Sequence, residues 1–156
     1  MRVGLGFDAH AFDDGRRLII GGVEIEHPQG LSGHSDADVL SHAVADALLG
    51  AARLGDLGDA FPADERWKDA SSLDLLAHTA SALRENGWQP VNVDATVVAQ
   101  SPRLSPHREA MAANLAEALG MAIGDVSVKA TTTDGMGYVG RGEGISAMAV
   151  VLVEPS

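Results

Sequence analysis

Two residues near the start of the chain have side chains that commonly bind divalent metals. Asp8 and His10 are two positions apart at the end of a predicted strand, where the two-residue period directs both side chains to one side. His42 is the natural third ligand, because it lies in the helical stripe Asp38, His42, Asp46, and this helix must pack beside the strand. Three protein ligands would leave one coordination position open for a substrate oxygen, as catalytic zinc requires. The spacing equally allows the helical stripe to be a solvated face.

A polar segment at the start of this helix is suited to binding an anion. His34 and Ser35 precede Asp36 and Asp38, and unpaired N–H groups and the helix dipole favour a phosphate at such a position. Ser35 and Asp38 also have the spacing of a capping box, and Ser35 or Asp36 can cap the helix. Phosphate binding and capping are compatible, so the sequence leaves both open.

A glycine-rich segment near the C-terminus is the third candidate site. Lys129, Thr131–Thr133 and Asp134 precede a loop with glycine at positions 135, 137, 140, 142 and 144, which also carries Arg141 and Glu143. Hydroxyls, backbone N–H groups and a carboxylate at a strand end could hold a diphosphate and its magnesium. The alternative is a simple turn between two strands.

The composition and the remaining motifs exclude several kinds of chemistry. The 156 residues carry 22 acidic and 11 basic side chains, a formal charge of −11, which disfavours a nucleic-acid partner. There is no cysteine, which excludes disulfides, thiolate ligands and cysteine nucleophiles. The glycines at 135, 137 and 140 spell G-x-G-x-x-G, but a strand follows them where a dinucleotide site needs a helix. His27, His78 and His107 have no partner residue at a spacing that indicates a site. No Ser-His-Asp or paired-carboxylate arrangement can be argued from the spacing, so a chemistry that uses metals and positioning is favoured over covalent catalysis.

The hydrophobic segments are short. The longest uncharged apolar run, Ile145 to Val153, is about half the length that a bilayer crossing requires. The apolar stretch Val3 to Phe7 is followed by Asp8, which is unlike a signal peptide. The sequence therefore predicts a cytoplasmic protein without a membrane partner.

Hydrophobic periodicity predicts a single α/β domain over residues 1–156. The predicted strands are Val3–Phe7, Leu18–Ile25, Val91–Ala99, Val126–Thr131 and Ile145–Val153, and the predicted helices are Asp38–Ala52, Ser72–Asn86 and Ser105–Leu119. Gly21 and Gly22 predict a turn or bulge in the second strand, and Arg53–Ser71 is expected to be a long functional loop. Strands and helices that alternate before a terminal hairpin indicate a mixed sheet with helices on one face, so the other face or an edge needs a partner.

Four groups of residues closely resemble the 2-C-methyl-D-erythritol 2,4-cyclodiphosphate synthase family, in order and nearly end to end. They are Gly6 to His10; His34 to Asp38 with His42; Asp46 to Ala51 leading to Gly55–Gly58; and Lys129 to Thr133 followed by Gly140–Gly144. Because several independent motifs match at the right separations, the resemblance favours functional sites over a solvated helix face, a helix cap or a simple turn at these positions.

The resemblance implies a fold, an assembly and a reaction. The fold would be α/β with a ferredoxin-like α+β arrangement, assembled as a homotrimer with active sites between neighbours. The reaction would convert 4-diphosphocytidyl-2-C-methyl-D-erythritol 2-phosphate to the cyclic diphosphate with release of CMP, in non-mevalonate isoprenoid biosynthesis. The 2-phosphate is itself the nucleophile, so the protein must supply alignment and charge neutralisation.

The resemblance also implies roles for individual residues. Asp8, His10 and His42 would hold Zn²⁺ or another divalent transition metal, Asp134 would bind the Mg²⁺ or Mn²⁺ that accompanies the diphosphate, and His34 and Thr132 would stabilise the transition state. The implied substrate contacts are Asp8, Ala9, His10, His34, Ser35, Asp56, Leu57, Gly58, Phe61, Pro62, Ala63, Asp64, Glu65, Ala99, Gln100, Ser101, Pro102, Arg103, Leu104, Ser105, Thr131, Thr132, Thr133, Asp134, Tyr138 and Arg141.

The sequence departs from the family pattern at three positions. Asp134 stands where the family often has Glu, Ala63 where it frequently has Asp, and Arg103 where it commonly has Lys. Two other functions remain open: a metal-dependent phosphohydrolase on the same scaffold, and a trimer that binds isoprenoid phosphates through the region of Tyr138, Arg141 and Glu143.

Overall fold

The computed structural model describes residues 1–156 and contains a five-stranded mixed sheet. Its strands are β1 (Arg2–Asp14), β4 (Gln29–Leu31), β5 (Trp88–Val98), β6 (Val126–Thr131) and β7 (Gly144–Pro155), and they lie in the order β4-β1-β7-β5-β6. The β5–β6 pair is parallel and the other pairs are antiparallel. The predicted strand Leu18–Ile25 is a separate hairpin of β2 (Leu18–Ile20) and β3 (Val23–Ile25), which turns at Gly21 and Gly22 as expected.

Three long helices cover one face of this sheet, as the sequence predicted. The long helices are α1 (Val39–Ala52), α3 (Ser72–Glu85) and α4 (Arg108–Leu119), and the chain also has two short helices, α2 (Leu57–Ala60) and α5 (Gly137–Gly140). Helix α1 packs on β1 and β7, α3 packs on α1, and α4 packs on β6, so that one hydrophobic core fills the space between the layers. The short α2 interrupts the predicted loop Arg53–Ser71. No helix has the length and apolar character that a membrane span needs.

The last two strands do not form the predicted terminal hairpin. Strand β7 lies between β1 and β5, while β6 pairs only with β5. The reason is burial: alternate residues of β7 are fully buried from Ile145 to Val153, which suits a central strand, whereas β6 buries only Val126 and Val128 and takes the edge. The long strands and helices follow the order β-α-α-β-α-β-β, which differs from the β-α-β-β-α-β order of a ferredoxin-like unit.

Helix α1 lies unusually close to β1 because two glycines face it. A Cβ atom at Gly4 would overlap the backbone carbonyl of Ala47, and one at Gly6 would overlap the backbone of Ala43. This close approach brings the His42 side chain, one residue before Ala43, down to the level of β1. The glycines near the N-terminus thereby set the geometry of the candidate metal site.

Asp38, rather than Ser35 or Asp36, is the N-cap of α1. Its Oδ1 accepts hydrogen bonds from the backbone N–H groups of Ser41 (3.1 Å) and Gly21 (2.8 Å), and its Oδ2 accepts from Gly22 N and the Ser41 hydroxyl, each at 2.8 Å. The side chain is fully buried, and burial raises the pKa of this carboxyl, with the negative charge of Asp36 adding to the effect. Asp38 prevails as the cap because it satisfies the β2–β3 turn as well as the helix.

The opposite face of the sheet is apolar and exposed. Its hydrophobic residues, with their exposed fractions, are Val3 67%, Leu5 70%, Phe7 56%, Met148 43% and Val150 46%. They alternate with buried residues along the two central strands β1 and β7, so they form one continuous patch. An exposed apolar patch on two adjacent strands is typical of a surface that another chain covers.

Candidate metal site and phosphate-binding surfaces

Asp8, His10 and His42 come together between β1 and α1. Asp8 Oδ2 lies 2.7 Å from His10 Nε2 and 3.1 Å from His42 Nδ1, and the two ring nitrogens are 3.2 Å apart. Ligand atoms around a tetrahedral zinc ion lie about 3.3 Å apart, given bond lengths of about 2.0–2.2 Å. The three ligand atoms are close enough to share one metal ion, and the metal-ligand cluster predicted from the sequence is present.

Two details of this prediction differ in the structure. Asp8 and His10 lie in the middle of β1 rather than at a strand end, because the strand continues to Asp14, but both still point to the helix side. The alternative of a solvated helix face is wrong, because Asp38 is fully buried and His42 is only 7% exposed.

The environment of the cluster keeps the Asp8 carboxylate ionised. Burial opposes ionisation of Asp8, but the hydrogen bonds and charges of His10 and His42 outweigh it and lower the pKa of Asp8 to about 2. Burial likewise opposes protonation of His10, but its contact with the Asp8 carboxylate prevails and raises the pKa of His10. The carboxylate is therefore ionised at neutral pH and available as a ligand.

Each histidine ring is held through its second nitrogen. His10 Nδ1 donates to the Ser32 carbonyl at 2.7 Å, which leaves the Nε2 lone pair free for a metal. His42 has Nε2 next to the hydroxyls of Ser72 (2.9 Å) and Ser35 (3.1 Å), and its Nδ1 faces Asp8. The two rings thus present different nitrogens to the same point.

A cavity of about 200 Å³ opens beside the cluster. It is lined by Asp8, His10, His34, Ser35, His42, Leu57, Phe61, Ala63, Trp67 and Leu75. Its mixed lining of apolar side chains around a few polar groups is typical of a small-molecule site. The neighbouring predicted residues Pro62, Asp64 and Glu65 lie exposed on the same loop, and Ala9 points to the outer face of the sheet.

His34 stands at the rim of this cavity on a well-braced loop. The Arg16 guanidinium donates to the carbonyls of Gly33 and Ser35, each at 2.5 Å, and so clamps the backbone on both sides of His34. The ring Nε2 donates to the Asp64 carbonyl at 2.6 Å. Sequence reasoning missed Arg16, because no local spacing links it to the loop.

Asp56 and Gly58 lie on the other side of the metal ligands. Asp56 caps α2 by accepting from Asp59 N at 2.8 Å, and Asp46 of α1 accepts from Leu57 N at 3.2 Å. Together with Phe7, Asp8 and His42, these residues line a further open cavity of about 390 Å³. Asp46, predicted only as part of a helical stripe, therefore positions the α2 segment.

A separate cavity of about 250 Å³ lies at the ends of β5 and β6. It is lined by Ala99, Gln100, Ser101, Pro102, Arg103, Leu104, Ser105, Ala130, Thr131 and Thr132. All of these residues except Ala130 were predicted as substrate contacts, and the two segments come together because β5 and β6 are parallel and end at the same edge. The cavity has no lining residue in common with the one beside the metal ligands.

The glycine-rich segment is a looped connection with a short helix. Asp134 has a positive φ of 53° and is exposed, with its backbone N–H donating to Thr132 Oγ1 at 3.2 Å. Thr133 donates to the Met136 carbonyl, and Tyr138 lies exposed on α5. Arg141 donates two hydrogen bonds to the Glu143 carboxylate, at 3.0 and 3.1 Å, and neither residue lines a cavity described here.

Comparison with known proteins gives consistent matches over the whole chain. A sequence model of the YgbB family matches residues 1–154. The 2-C-methyl-D-erythritol 2,4-cyclodiphosphate synthase of Syntrophomonas wolfei is 59% identical over 155 residues, which cover 99% of both chains. The bifunctional IspDF of Campylobacter jejuni superposes with a TM-score of 0.95 at 41% identity, over 99% of this chain and 42% of that longer one. The IspF of Plasmodium falciparum in complex with CDP gives a TM-score of 0.86 at 30% identity, over 99% and 96% of the two chains.

Proposed function

The chain belongs to the YgbB family, and we propose that it is a phosphorus–oxygen lyase that converts 4-diphosphocytidyl-2-C-methyl-D-erythritol 2-phosphate to 2-C-methyl-D-erythritol 2,4-cyclodiphosphate and CMP. The observation that carries this proposal is the Asp8, His10 and His42 cluster, which opens onto a cavity lined by His34 and Ser35. The family match and this site point to the same phosphoryl transfer chemistry.

The reaction needs positioning more than it needs a protein base. An oxygen of the 2-phosphate attacks the β-phosphorus, the bond from that phosphorus to the bridging oxygen breaks, and this oxygen leaves with CMP. The nucleophile is already an anion, so no proton has to be removed by the protein. The chain must hold two negatively charged groups close together.

The metal ligands and His34 serve the reacting phosphates. Asp8, His10 and His42 would hold zinc, which when bound acts as a Lewis acid that polarises a phosphate oxygen. The His34 ring lies at the rim of the same cavity, and its Nε2–H would move from the Asp64 carbonyl to a phosphate oxygen as charge develops there. Arg16 keeps this ring in place through the backbone.

The two remaining surfaces would hold the rest of the substrate. Asp56 and Gly58 flank the metal ligands and would bind the hydroxyls of methylerythritol. The cavity of Ala99–Ser105 with Thr131 and Thr132 would bind cytidine and its phosphates, in line with the CDP in the Plasmodium falciparum relative. Asp134 would bind Mg²⁺ or Mn²⁺, which neutralises diphosphate charge.

A homotrimer would complete the site. The cavity beside the metal ligands and the cavity at the ends of β5 and β6 share no lining residue, so two neighbouring subunits could each supply one. The exposed apolar face of β1 and β7 provides a surface for such an assembly.

Phosphorus NMR of the reaction products tests this function. With purified protein, Mg²⁺ and the diphosphocytidyl substrate, we expect resonances of a cyclic diphosphate and CMP, without orthophosphate. A phosphohydrolase would give orthophosphate or a linear product. A protein that only binds isoprenoid phosphates would leave the substrate unchanged, and either result would contradict the proposal.

A further inference from the structure

The His42 ring has a constrained environment on the side away from the metal ligands. A neutral imidazole binds a metal through one nitrogen and carries its proton on the other. Nδ1 faces Asp8 and His10, so His42 can serve as a ligand only when its proton is on Nε2. The groups that surround Nε2 therefore decide whether this ring is prepared to bind a metal.

The Ser72 hydroxyl can only accept a hydrogen bond from that nitrogen. Ser72 is 1% exposed, and its Oγ donates to Asp36 Oδ1, while its backbone N–H donates to Asp36 Oδ2 at 3.0 Å. Both oxygens of Asp36 also accept a backbone N–H, from Asp38 and from Ser72, so this carboxylate is the acceptor for the Ser72 hydroxyl proton as well. The Ser72 oxygen, 2.9 Å from His42 Nε2, is left with lone pairs only.

The Ser35 hydroxyl does not impose this direction. It lies 3.1 Å from His42 Nε2 and accepts from Ala37 N at 3.3 Å, with no acceptor other than the ring for its own proton. Ser35 can therefore either donate to Nε2 or accept from it. Ser72 and Asp36 therefore determine which tautomer the His42 ring adopts.

We propose that Asp36 and Ser72 are positioning residues for the metal site, acting as a carboxylate–hydroxyl–imidazole relay that places the His42 proton on Nε2 and aims Nδ1 at the ion. This inference rests on the proposed metal site. Asp36 also accepts from Asp38 N at 3.1 Å, so the same carboxylate joins the start of α1 to the start of α3. The relay thereby links the ligand's protonation and orientation to the packing of two helices.

Ser72→Ala isolates the relay, because it removes the hydroxyl and keeps the backbone N–H that Asp36 caps. Ser71→Ala is the matched control, since Ser71 is exposed and its side chain makes no capping hydrogen bond. Zinc affinity is measured by competition with a chromophoric chelator. The His42 ring N–H is observed by proton–nitrogen NMR of the zinc-loaded protein labelled at its six histidines.

We expect Ser72→Ala to weaken zinc binding about 10- to 100-fold and to shift the Nε2–H resonance of His42 upfield with faster solvent exchange, while Ser71→Ala changes neither. The inference is overturned if Ser72→Ala keeps the zinc affinity of the parent. It is also overturned if the zinc affinity falls while the Nε2–H resonance is unchanged, because Ser72 would then act only through the packing of α3. Zinc bound through Nε2 in the parent protein would also overturn it, and this needs no variant. A parent that binds no zinc would refute the metal site as well.

Discussion

At the scale of single residues, the candidate metal site depends on three side chains that are held in different ways. Asp8 is fixed by its two histidine neighbours, His10 by a backbone carbonyl, and His42 by hydroxyls. The sequence has no cysteine, and no other cluster of this kind is present, so the site rests on these three side chains.

We expect His42→Ala to abolish stoichiometric zinc binding while the protein stays folded. The parent should carry close to one zinc per subunit, measured by atomic emission, because its three ligand atoms all lie within 3.2 Å of one another. His107→Ala is the control, since this ring makes no capping hydrogen bond and lies outside the cluster. Zinc retained at one per subunit by His42→Ala would refute the ligand assignment.

The Asp8–His10 pair should give the metal-free protein a characteristic pH dependence. The pKa of Asp8, lowered from 3.8 to about 2, corresponds to about 2 kcal/mol of stability that is present above pH 3.8 and lost as the pH falls towards 2. The pKa of His10 is raised by the same contact with Asp8, because the protonated ring is stabilised by the carboxylate. This stabilisation is therefore also lost as the pH rises through the raised pKa and the ring loses its proton.

Denaturant unfolding of metal-free protein and Asp8→Asn, each in chelator across pH 2 to 8, measures this effect. We expect the difference in free energy of unfolding to be largest between about pH 4 and 6.5 and to shrink on both sides. A difference that is constant with pH would mean that the pair does not contribute through its charges.

Asp134 has two requirements that favour different side-chain lengths: its backbone conformation and its proposed role as a magnesium ligand. Its positive φ of 53° is tolerated better by Asp than by longer side chains, while a shorter carboxylate reaches less far towards magnesium. We expect Asp134→Ala to reduce turnover and raise the magnesium requirement without changing zinc content. Asp134→Glu should keep most activity and lower that requirement. Steady-state kinetics against magnesium concentration checks both, and unchanged kinetics for Asp134→Ala would leave Asp134 as a turn residue only.

At the scale of elements, the distance between α1 and β1 is the feature on which the site depends. Gly4 and Gly6 permit the contact, and Asp38 fixes the start of the helix against the β2–β3 turn. His42 therefore reaches Asp8 because a helix and a strand pack without side chains between them at this point.

Gly6→Ala should harm both stability and metal binding. The added methyl would overlap the Ala43 backbone and push α1 outwards, at a cost of about 1–3 kcal/mol in unfolding free energy, and zinc affinity should fall with it. Gly50→Ala is the matched control, because it is exposed in the same helix with nothing near the added methyl, and it should be neutral or stabilising by up to about 1 kcal/mol. Equal zinc affinities in parent and Gly6→Ala would show that helix spacing does not set the site.

At the scale of the whole molecule, the proposed trimer would account for both the exposed face of β1 and β7 and the two separate cavities. A trimer would cover Leu5 and its neighbours and bring a metal site beside a nucleotide cavity from another subunit. Apolar burial at such a face contributes about 25 cal/mol per Å² before the cost of association.

Light scattering should give a mass three times that of the chain. We expect Leu5→Asp to dissociate the assembly and abolish turnover, because a charge would be buried in an apolar interface. Ile123→Asp, at another exposed apolar residue away from the sheet face, should stay trimeric and active. A parent protein that is monomeric and active at micromolar concentration would contradict the trimer.

The sequence alone determined the fold class, the positions of the three long helices and the three residues of the candidate metal site. It could do so because these depend on local periodicity and on residue chemistry: His42 lies on a helix whose pattern is unambiguous, and Asp8 and His10 alternate on one strand. The two segments that line the cavity at the ends of β5 and β6 were likewise named in advance, from the family resemblance.

Only the tertiary structure decided the neighbours of β7, the true cap of α1 and the residues that brace the site. Strand pairing, the bonds of Asp38 to Gly21 and Gly22, and the contacts of Arg16 and Ser72 all join residues far apart in the chain. Local patterns carry no information on such contacts, because they depend on how buried surfaces and hydrogen-bonding groups are satisfied across the whole fold.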